Sequence, residues 1–301
     1  MPSEVIRWLI ADDLTGAADA SVHFASRREV TLAFDRRAAE GLVAIDTETR
    51  TMPAAEAARL VTELAQGLDG GVFKKVDSTL RGPVAAELEA LRVALGRRAV
   101  LLAPALPAQG RTVVGGRLLV DGKDRGPVRD LVGIDAADAS TDADLDRVAA
   151  TCAADPTLLP AGSAGLAAAF SRLGGRPQPA AAPPRVEALL VVVGSPHPVA
   201  RGQARLLEAQ LPAGVELRDS TQAGRRALHR LPAGTAVLAT GGDTARAICA
   251  ELGIESLHVR GELLPGVVWM EAEGRILVTK SGGFGAPDAL LLASLKLLGD
   301  G

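Results

Sequence analysis

The chain has 301 residues, of which 48% are hydrophobic and 23% charged, and its formal net charge is −3. These proportions exclude a disordered or fibrous chain, and the length favours two domains. Aromatic residues make up only 2%, tyrosine is absent and the arginines are scattered, so we expect no nucleic-acid partner.

The cysteines and the N-terminus indicate the cellular context. Cys152 and Cys249 have no CxxC spacing and no flanking histidine, so we expect two buried thiols and neither a zinc site nor a disulfide. The N-terminal apolar run is too short for a signal peptide, and no stretch approaches the roughly 18 apolar residues of a membrane span. We therefore expect a cytoplasmic protein with no membrane partner.

Short apolar runs alternate with amphipathic segments along the first half of the chain. Helices are expected to begin near Pro53 and Pro83, since proline suits the first turn of a helix. The predicted strands are residues 5–10, 30–34, 42–45, 72–76 and 100–103. This alternation predicts an α/β fold with a mainly parallel sheet flanked by helices.

A stretch rich in glycine and proline, Gly174–Arg185, separates two halves that share this pattern. We predict an N-terminal domain of residues 1–175, a linker of residues 176–185 and a C-terminal domain of residues 186–301. Further strands are predicted at residues 188–193, 236–239, 267–270 and 275–279, the last two as a hairpin that turns at Glu273–Gly274. Each domain is expected to have its own sheet, with the active site in the cleft between them.

Two carboxylates follow the first predicted strand, in the segment ADDLTGA at residues 11–17. Asp12 and Asp13 thus lie at the carboxyl end of a strand, where open α/β sheets bind ligands. A carboxylate there could accept a proton from a hydroxyl group or hold a cation. The alternative for Asp13 is a structural role as the N-cap of the next helix.

Basic and hydroxyl side chains follow another strand, in the segment KKVDSTLRG at residues 74–82. Strand alternation places Lys75 and Asp77 on one face and Lys74 on the other. Arginine and lysine together with hydroxyl groups suit a carboxylated, polyhydroxylated ligand such as a sugar acid. The alternative is a structural ion pair between Asp77 and Arg81.

Three glycine-rich turns in the second half each lead from a strand to a helix. Their sequences are VGSP at residues 193–196, TGGDT at 240–244 and KSGGFG at 280–285. Glycine lets backbone N–H groups approach an anion and the helix dipole adds positive charge, so such turns cradle phosphates. The last turn is not a P-loop, because Thr279 and not glycine precedes Lys280. A plain connection is the alternative for this turn.

Other catalytic arrangements find no support. The segment AGSAG at residues 161–165 lacks the first glycine of a GxSxG elbow, and neither HExxH nor GxGxxG occurs. Hydrolase, zinc-enzyme and dinucleotide-binding interpretations are therefore set aside. Among the histidines, we expect only His197, next to the VGSP turn, to touch a ligand.

Together these segments resemble the four-carbon acid sugar kinases, whose members phosphorylate threonate, erythronate or related acids with ATP. The resemblance spans nearly the whole chain and is carried by ADDLTGA, KKVDSTLRG, PALPAQGR, AGSAGLA, VGSPHP, ATGGDTA, ELLPGV and TKSGGFG, in the family's order. Compared with typical members, the chain is shortened after Asp121–Gly122 and between Val215 and Thr235.

The resemblance implies a sugar-acid site in the first domain and a site for ATP, with Mg²⁺, in the second, and it assigns no metal ligand. The residues implied for the sugar-acid side are Asp12, Asp13, Lys75, Asp77, Ser78, Arg81, Gly110 and Arg111. Those implied for the nucleotide side are Ser195, Gly241, Gly242, Asp243, Thr244, Gly266, Lys280, Gly282, Gly283 and Gly285.

The predicted reaction is in-line phosphoryl transfer from MgATP to a substrate hydroxyl. Asp12 or Asp13 would accept the proton, and Lys280 or the glycine-rich amides would neutralise the transferring phosphate. Domain closure would exclude water. Two rivals are a non-catalytic sensor of sugar acid or nucleotide and a lyase or isomerase of phosphorylated sugar acids. A homodimer is one assembly that the sequence allows.

Overall fold

The structure is a computed structural model that describes residues 6–36, 39–175, 181–220, 228, 231–232 and 234–299. In the N-terminal half the strands are β1 (Trp8–Ala11), β2 (Val30–Ala33), β3 (Leu42–Asp46), β4 (Val72–Lys75), β5 (Ala99–Ala103), β6 (Arg111–Val114), β7 (Arg117–Val120), β8 (Lys123–Pro127) and β9 (Leu158–Gly162). The helices there are α1 (Leu14–Ser21), α2 (Ala54–Ala65), α3 (Val84–Ala94), α4 (Val128–Val132), α5 (Asp142–Ala154) and α6 (Ala164–Leu173).

In the C-terminal half, helices again follow strands until a final meander. The strands are β10 (Ala188–Val193), β11 (Val215–Asp219), β12 (Thr235–Thr240), β13 (Ser256–Leu264), β14 (Val267–Ala272) and β15 (Arg275–Lys280). The helices are α7 (Pro198–Ala209), α8 (Gly242–Leu252) and α9 (Ala289–Leu298). Of the predicted linker, residues 176–180 lie outside the described residues, and residues 181–185 form no helix or strand.

Twelve strands form one sheet in the order β11-β10-β12-β15-β14-β13-β2-β3-β1-β4-β9-β5. The strands from β2 to β5 in this order pair in parallel, as do β11, β10, β12 and β15. Within this sheet, the pairs that involve β13 or β14 are antiparallel. The predicted α/β class with a mainly parallel sheet is therefore confirmed.

The two halves share this sheet, which differs from the separate sheets that we expected. β13 pairs with β2 through Ser256–Ala33, Leu257–Leu32 and His258–Thr31. An edge strand leaves a row of N–H and C=O groups unpaired, and β13 supplies partners for that row on β2. The sheets of the two halves thus meet edge to edge along a seam of three residue pairs.

The predicted hairpin is present as β14 and β15. The register runs from Val267–Lys280 to Ala272–Arg275. Glu273 and Gly274 form the turn with φ angles of 51° and 76°, as a tight turn between twisted strands requires.

A second sheet, β6-β7-β8, is antiparallel and was not predicted. Its strands are short and their side chains are partly exposed, so their apolar pattern is weak. The dipeptides Gly115–Gly116 and Asp121–Gly122 mark its two turns and were the available signal.

The core is built mainly from alanine, valine and leucine. One cluster of buried residues crosses the seam, from Leu9 and Leu32 to Val237 and Leu257. No helix within the described part of the chain is long and apolar enough to cross a membrane.

Both cysteines are free and buried, as predicted. Burial raises the pKa of the Cys152 and Cys249 thiols to about 12, so neither thiol is primed to react.

Candidate active site

The carboxyl ends of β1, β3 and β4 lie side by side at one edge of the sheet. Ala11 of β1 is level with Asp46 of β3 and with Lys75 of β4. The polar segments that follow these three strands are therefore brought together, as expected for the ligand-binding edge of an α/β sheet.

Arg50, which the sequence analysis missed, connects these segments. Its Nε and Nη2 donate to the two carboxylate oxygens of Asp12 at 2.7 and 2.8 Å. Nη2 also donates to Asp13 Oδ1 at 2.8 Å and lies 3.8 Å from Asp77 Oδ1. The available signal was the segment DTETR at residues 46–50, which follows β3 as ADD follows β1.

Both carboxylate oxygens of Asp12 accept hydrogen bonds from Arg50, and Asp12 is only 1% exposed. Burial alone would raise the pKa of Asp12, but Arg50, aided by Lys74 and Lys75, holds that pKa below its ordinary value. Asp12 is therefore an ionised anchor for the Arg50 guanidinium.

Asp13 caps α1, as the alternative interpretation held, and it also faces the cavity described below. Its Oδ1 accepts a hydrogen bond from the Gly16 amide at 2.9 Å, and its Oδ2 accepts one from Thr15 Oγ1 at 2.6 Å. The cap and the ligand-binding interpretation are thus structurally compatible.

The two lysines of β4 point to opposite faces, as strand alternation predicted. Lys74 is fully buried and forms an ion pair with Glu87 Oε1 at 2.9 Å. Lys75 lies in the cavity wall, where its Nζ donates to the carbonyl of Val76 at 2.9 Å. Lys74 is therefore structural, and Lys75 is the lysine that can meet a ligand.

Asp77 and Arg81 form the ion pair that was the alternative interpretation. Arg81 Nε and Nη2 donate to Asp77 at 3.0 and 2.7 Å. Burial would raise the pKa of Asp77, but the hydrogen bonds from Arg81 and the charge of Arg50 hold it well below its ordinary range. The Arg81 side chain is 61% exposed, so it stands at the rim of the site.

A cavity at this edge holds about 320 Å³ of empty space, part of it open to solvent. Its walls are Asp13, Thr15, Gly16, Asp19, Arg50, Lys75, Asp77, Ser78, Leu106, Ser163, Ala164, Ser281 and Phe284. Ser281 and Phe284 come from the third glycine-rich turn, so both halves of the chain line the cavity.

Four of the eight residues expected on the sugar-acid side line the cavity, namely Asp13, Lys75, Asp77 and Ser78. The other four, Asp12, Arg81, Gly110 and Arg111, are not among its lining residues. Arg111 instead reaches the other half, where its guanidinium carbon lies 5.1 Å from the centroid of the Phe284 ring. Gly110 lies next to Asp121. A Cβ atom added to Gly110 would lie 2.6 Å from Asp121 Oδ1, and the Cβ positions of other glycines are defined in the same way.

The N-terminus of α6 also forms part of the wall. Ser163 caps this helix, since its Oγ accepts from the Gly165 amide at 3.1 Å and donates to the Ala105 carbonyl at 2.5 Å. Ser163 and Ala164 therefore present a positive helix end to the cavity, which favours a carboxylate there.

The three glycine-rich turns meet at the carboxyl ends of β10, β12 and β15, which are neighbours in the sheet. The Gly241 amide donates to the Lys280 carbonyl at 2.8 Å. A Cβ on Gly282 would overlap Ser195 Oγ, so the first and third turns are in contact. His197 adjoins them, since its Nε2 lies 3.5 Å from the Cβ position of Gly283.

Lys280 is buried behind the third turn, and its Nζ donates to the Ser281 carbonyl at 2.8 Å. Burial lowers the pKa of Lys280 to about 8. Gln203 of α7, which the sequence analysis missed, fixes the same turn. Its Nε2 donates to three successive carbonyls, those of Phe284, Gly285 and Ala286, at 3.1, 3.2 and 2.8 Å.

Helix α8 begins at the boundary between the two halves. A Cβ on Gly242 would lie 2.7 Å from Asp13 Oδ2, and Arg246 Nε donates to Glu48 Oε2 at 2.9 Å. The second turn therefore faces the carboxylates of the N-terminal half. Of its other residues, Thr244 is buried against Gly194, while Asp243 is exposed.

The turn between β13 and β14 also touches the N-terminal half. The Cβ position of Gly266 lies 3.8 Å from Asp19 Oδ1 and 3.9 Å from the Phe284 ring. Within the described residues, no group of three or more His, Cys, Asp or Glu side chains could hold a metal ion.

A cavity lined mainly by the N-terminal half thus faces the glycine-rich turns of the C-terminal half. Residues 8–130 match the sugar-binding N-terminal domain and residues 221–290 the nucleotide-binding C-terminal domain. The chain is 31% identical to a D-threonate kinase of Cupriavidus necator, over 94% of this chain and 96% of that protein. It is 28% identical to a 3-oxo-tetronate kinase of the same organism, over 93% and 94% of the two chains.

The chain belongs to the four-carbon acid sugar kinase family, and the resemblance found in the sequence is confirmed. Its alignment with the D-threonate kinase runs over 401 positions, against 301 residues in this chain, so the relative carries segments that this chain lacks.

Solved structures show the same fold. A Haemophilus influenzae protein is similar with a TM-score of 0.70 and 21% identity, over 97% of this chain and all of that one. A Bordetella bronchiseptica domain of unknown function, a domain-swapped dimer with bound citrate, is similar with a TM-score of 0.51 and 26% identity, over 97% and 98% of the two chains.

Proposed function

We propose that the protein transfers the γ-phosphoryl group of ATP to a hydroxyl group of D-threonate or a closely related four-carbon sugar acid. The observation that carries this proposal is the shared cavity, where the polar edge of β1, β3 and β4 faces the glycine-rich turns of the other half. The similarity to a D-threonate kinase makes D-threonate the first candidate substrate, and the acid of the 3-oxo-tetronate kinase is the second.

The carboxylate of the sugar acid would bind to Lys75 and the N-terminus of α6. Both groups are positive and line the cavity, and the helix end offers the amide of Ala164. The hydroxyl groups of the acid would then meet Ser78 and the carboxylates of Asp13 and Asp77. Citrate, also a hydroxy acid, is bound in the Bordetella relative, which supports this class of ligand.

The phosphates of ATP would bind to the three glycine-rich turns. Gly282 has no room for a Cβ, and α8 begins at Gly242 with its positive end toward the cavity, which fits an anion held by backbone amides. The residues proposed for this side are Ser195, Gly241, Gly242, Asp243, Thr244, Gly266, Gly282, Gly283 and Gly285. Mg²⁺ would arrive with the nucleotide and take most of its ligands from phosphates and water.

Catalysis would come mainly from positioning and charge. Lys280 would neutralise charge on the transferring phosphoryl group, and the cavity carboxylates would orient the attacking hydroxyl group. Asp12 and Asp13 belong to this proposed catalytic set, with Asp12 fixing Arg50 and Asp13 facing the substrate. The proposal includes the two domains of residues 1–175 and 186–301, a cytoplasmic enzyme and a homodimer, the last supported by the dimeric Bordetella relative.

The test is incubation of the protein with MgATP and a panel of three- to six-carbon sugar acids, followed by mass spectrometry of the products. We expect ADP and a phosphorylated four-carbon acid, with D-threonate and 3-oxo-tetronate among the first to compare. ATP binding in calorimetry without any phosphorylated acid would instead favour the sensor, and turnover of an acid without ATP would favour a lyase or isomerase.

A further inference from the structure

One carboxylate in the cavity wall, that of Asp19, has no hydrogen-bond or ion-pair partner among the described residues. Asp19 lies on α1, one turn after Thr15, and both side chains are part of the cavity wall. Asp19 is partly buried, and within the described residues it takes part in no hydrogen bond and no ion pair. The sequence analysis did not select Asp19, because it lies among small and apolar residues in the second half of α1, between Ala18 and Ala20.

The two other carboxylates in the cavity wall, Asp13 and Asp77, and the neighbouring Asp12 already accept hydrogen bonds. Both oxygens of Asp12 accept from Arg50, and both oxygens of Asp13 accept hydrogen bonds. Asp77 accepts from Arg81 and Thr79. Burial would raise the pKa values of Asp12 and Asp77, but their arginine partners hold both below the ordinary value, and Asp19 has no such donor among the described residues.

Asp19 also stands where the two halves meet. Its Oδ1 lies 3.8 Å from the Cβ position of Gly266, and the Phe284 ring lies 3.9 Å from the same point. The acid is therefore next to the turns proposed to hold the phosphates and within the cavity proposed to hold the sugar acid. A hydroxyl group between the two substrates would have Asp19 beside it.

The charged groups that face Asp19 are Lys75 from β4, Glu262 from β13 and Asp13 from the end of β1. Burial raises the pKa of Asp19 to about 7, Lys75 opposes this rise, and Glu262 and Asp13 add to it. A general base works best when its pKa lies close to the working pH, so this environment suits proton transfer near neutrality.

We propose that Asp19 is the general base of the kinase reaction. Its carboxylate takes the proton of the substrate hydroxyl while the hydroxyl oxygen forms a bond to the γ-phosphorus. The bond from that phosphorus to the β,γ-bridging oxygen breaks, ADP leaves, and Asp19 later releases the proton to water. This assignment rests on the proposed function, since it requires both substrates in the cavity.

The first test is Asp19→Asn, which keeps the shape and removes the base. We expect kcat to fall by about 10²–10⁴-fold. Dissociation constants for ATP and for the sugar acid, measured by calorimetry, should stay within about threefold of wild type because the binding groups remain in place. Wild-type kcat should fall tenfold per pH unit below about pH 7, and the variant should lack this dependence.

A second variant tests the assignment independently of Asp19 itself. Glu262→Gln removes a negative charge that raises the pKa of Asp19 but keeps an acceptor for the Gly266 amide, which now donates to Glu262 Oε1 at 2.8 Å. The acidic limb of the kcat profile should therefore move to lower pH. This readout remains available if Asp19→Asn fails to fold.

The outcomes separate the two proposals. A wild-type protein that binds ATP yet phosphorylates no acid contradicts the proposed function. If the wild type is active and Asp19→Asn keeps a near-normal kcat, the general-base assignment is overturned but the proposed function stands. The same conclusion follows if Glu262→Gln does not shift the acidic limb of the kcat profile. If Asp19→Asn lowers kcat, leaves substrate binding unchanged and flattens the pH profile of kcat, both the proposed function and the general-base assignment are supported.

Discussion

The Cβ position of Gly242 lies 2.7 Å from Oδ2 of Asp13, so the first residue of α8 touches the carboxylate that caps α1. One carboxylate thus lies at the N-terminal ends of two helices, one from each half of the chain. Both helix dipoles favour its negative charge. This contact limits how closely the glycine-rich turn at Gly242 can approach the cavity wall at Asp13.

Gly242→Ala should disturb that approach. Overpacking typically costs about 1–3 kcal/mol, and if Asp13 moves in response we expect kcat/KM to fall about ten- to a hundredfold. Steady-state kinetics with the acid identified in the panel would measure the loss. Gly202→Ala is the matched control, because Gly202 lies in α7 and no heavy atom lies within 4 Å of its Cβ position. Equal activities for the two variants would contradict the prediction.

Arg50→Met should destabilise the protein and abolish most activity. Removing one partner of a buried ion pair typically costs about 3–5 kcal/mol, and here the carboxylates of Asp12 and Asp13 would both lose a donor. Urea denaturation followed by circular dichroism would measure the change. Arg59→Met serves as the control, because Arg59 is 64% exposed and pairs with Glu63 on the surface of α2. An Arg50 variant as stable as this control would refute a central role for Arg50.

Lys280→Met should weaken ATP binding and leave the affinity for the sugar acid nearly unchanged, because Lys280 lies in the segment that matches the nucleotide-binding C-terminal domain. The pKa of Lys280 is lowered to about 8, so the free protein loses this positive charge as the pH rises past that value. ATP affinity of the wild type should then fall above about pH 8, approaching tenfold per pH unit.

Calorimetric titrations at pH 7, 8 and 9 would measure this dependence, which the Lys280→Met variant should lack. Lys296→Met is the control, because Lys296 is exposed on α9 and donates to the Leu263 carbonyl. If the control and the Lys280 variant show the same pH dependence as the wild type, Lys280 does not contact the nucleotide.

Asp46→Asn should change how stability depends on pH. Asp46 is 2% exposed, and within the described residues its Oδ2 has no hydrogen-bond partner. Burial raises the pKa of Asp46 to about 7, with the amide of Glu48 opposing this rise. The folded state therefore favours the protonated acid, and stability is lost as the pH rises from about 4 through 7.

The free energy of unfolding of the wild type, relative to Asp46→Asn, should fall by about 2–4 kcal/mol between pH 4.5 and 8. Urea titrations across this range would measure it. Asp130→Asn, at an exposed position of α4, should follow the wild-type curve. A constant difference between wild type and Asp46→Asn would show that Asp46 does not take up a proton on folding.

Sequence patterns predicted the features that depend on local rules. The hairpin at Glu273–Gly274 follows from turn chemistry, and the opposite faces of Lys74 and Lys75 follow from strand alternation. The three glycine-rich turns meet because parallel neighbouring strands end at the same edge of a sheet.

The features that were missed depend on contacts between distant segments. Arg50 meets Asp12 only because β3 lies beside β1, and Gln203 reaches the third turn from a helix far away in the chain. Asp19 is distinguished by having no hydrogen bond or ion pair with any residue that the structure describes, and no local sequence pattern records such an absence. The seam between β2 and β13 was missed because an edge strand and a paired strand can share one apolar pattern.

That seam has a consequence during protein synthesis. The ribosome completes β2 long before β13 begins at Ser256, and translation at about 5–20 residues per second makes the interval on the order of ten seconds or more. Throughout this time the outer edge of β2, with its apolar residues Val30 and Leu32, has no strand to pair with. A nascent chain is therefore most exposed to pairing with a neighbouring chain while its C-terminal half is being made.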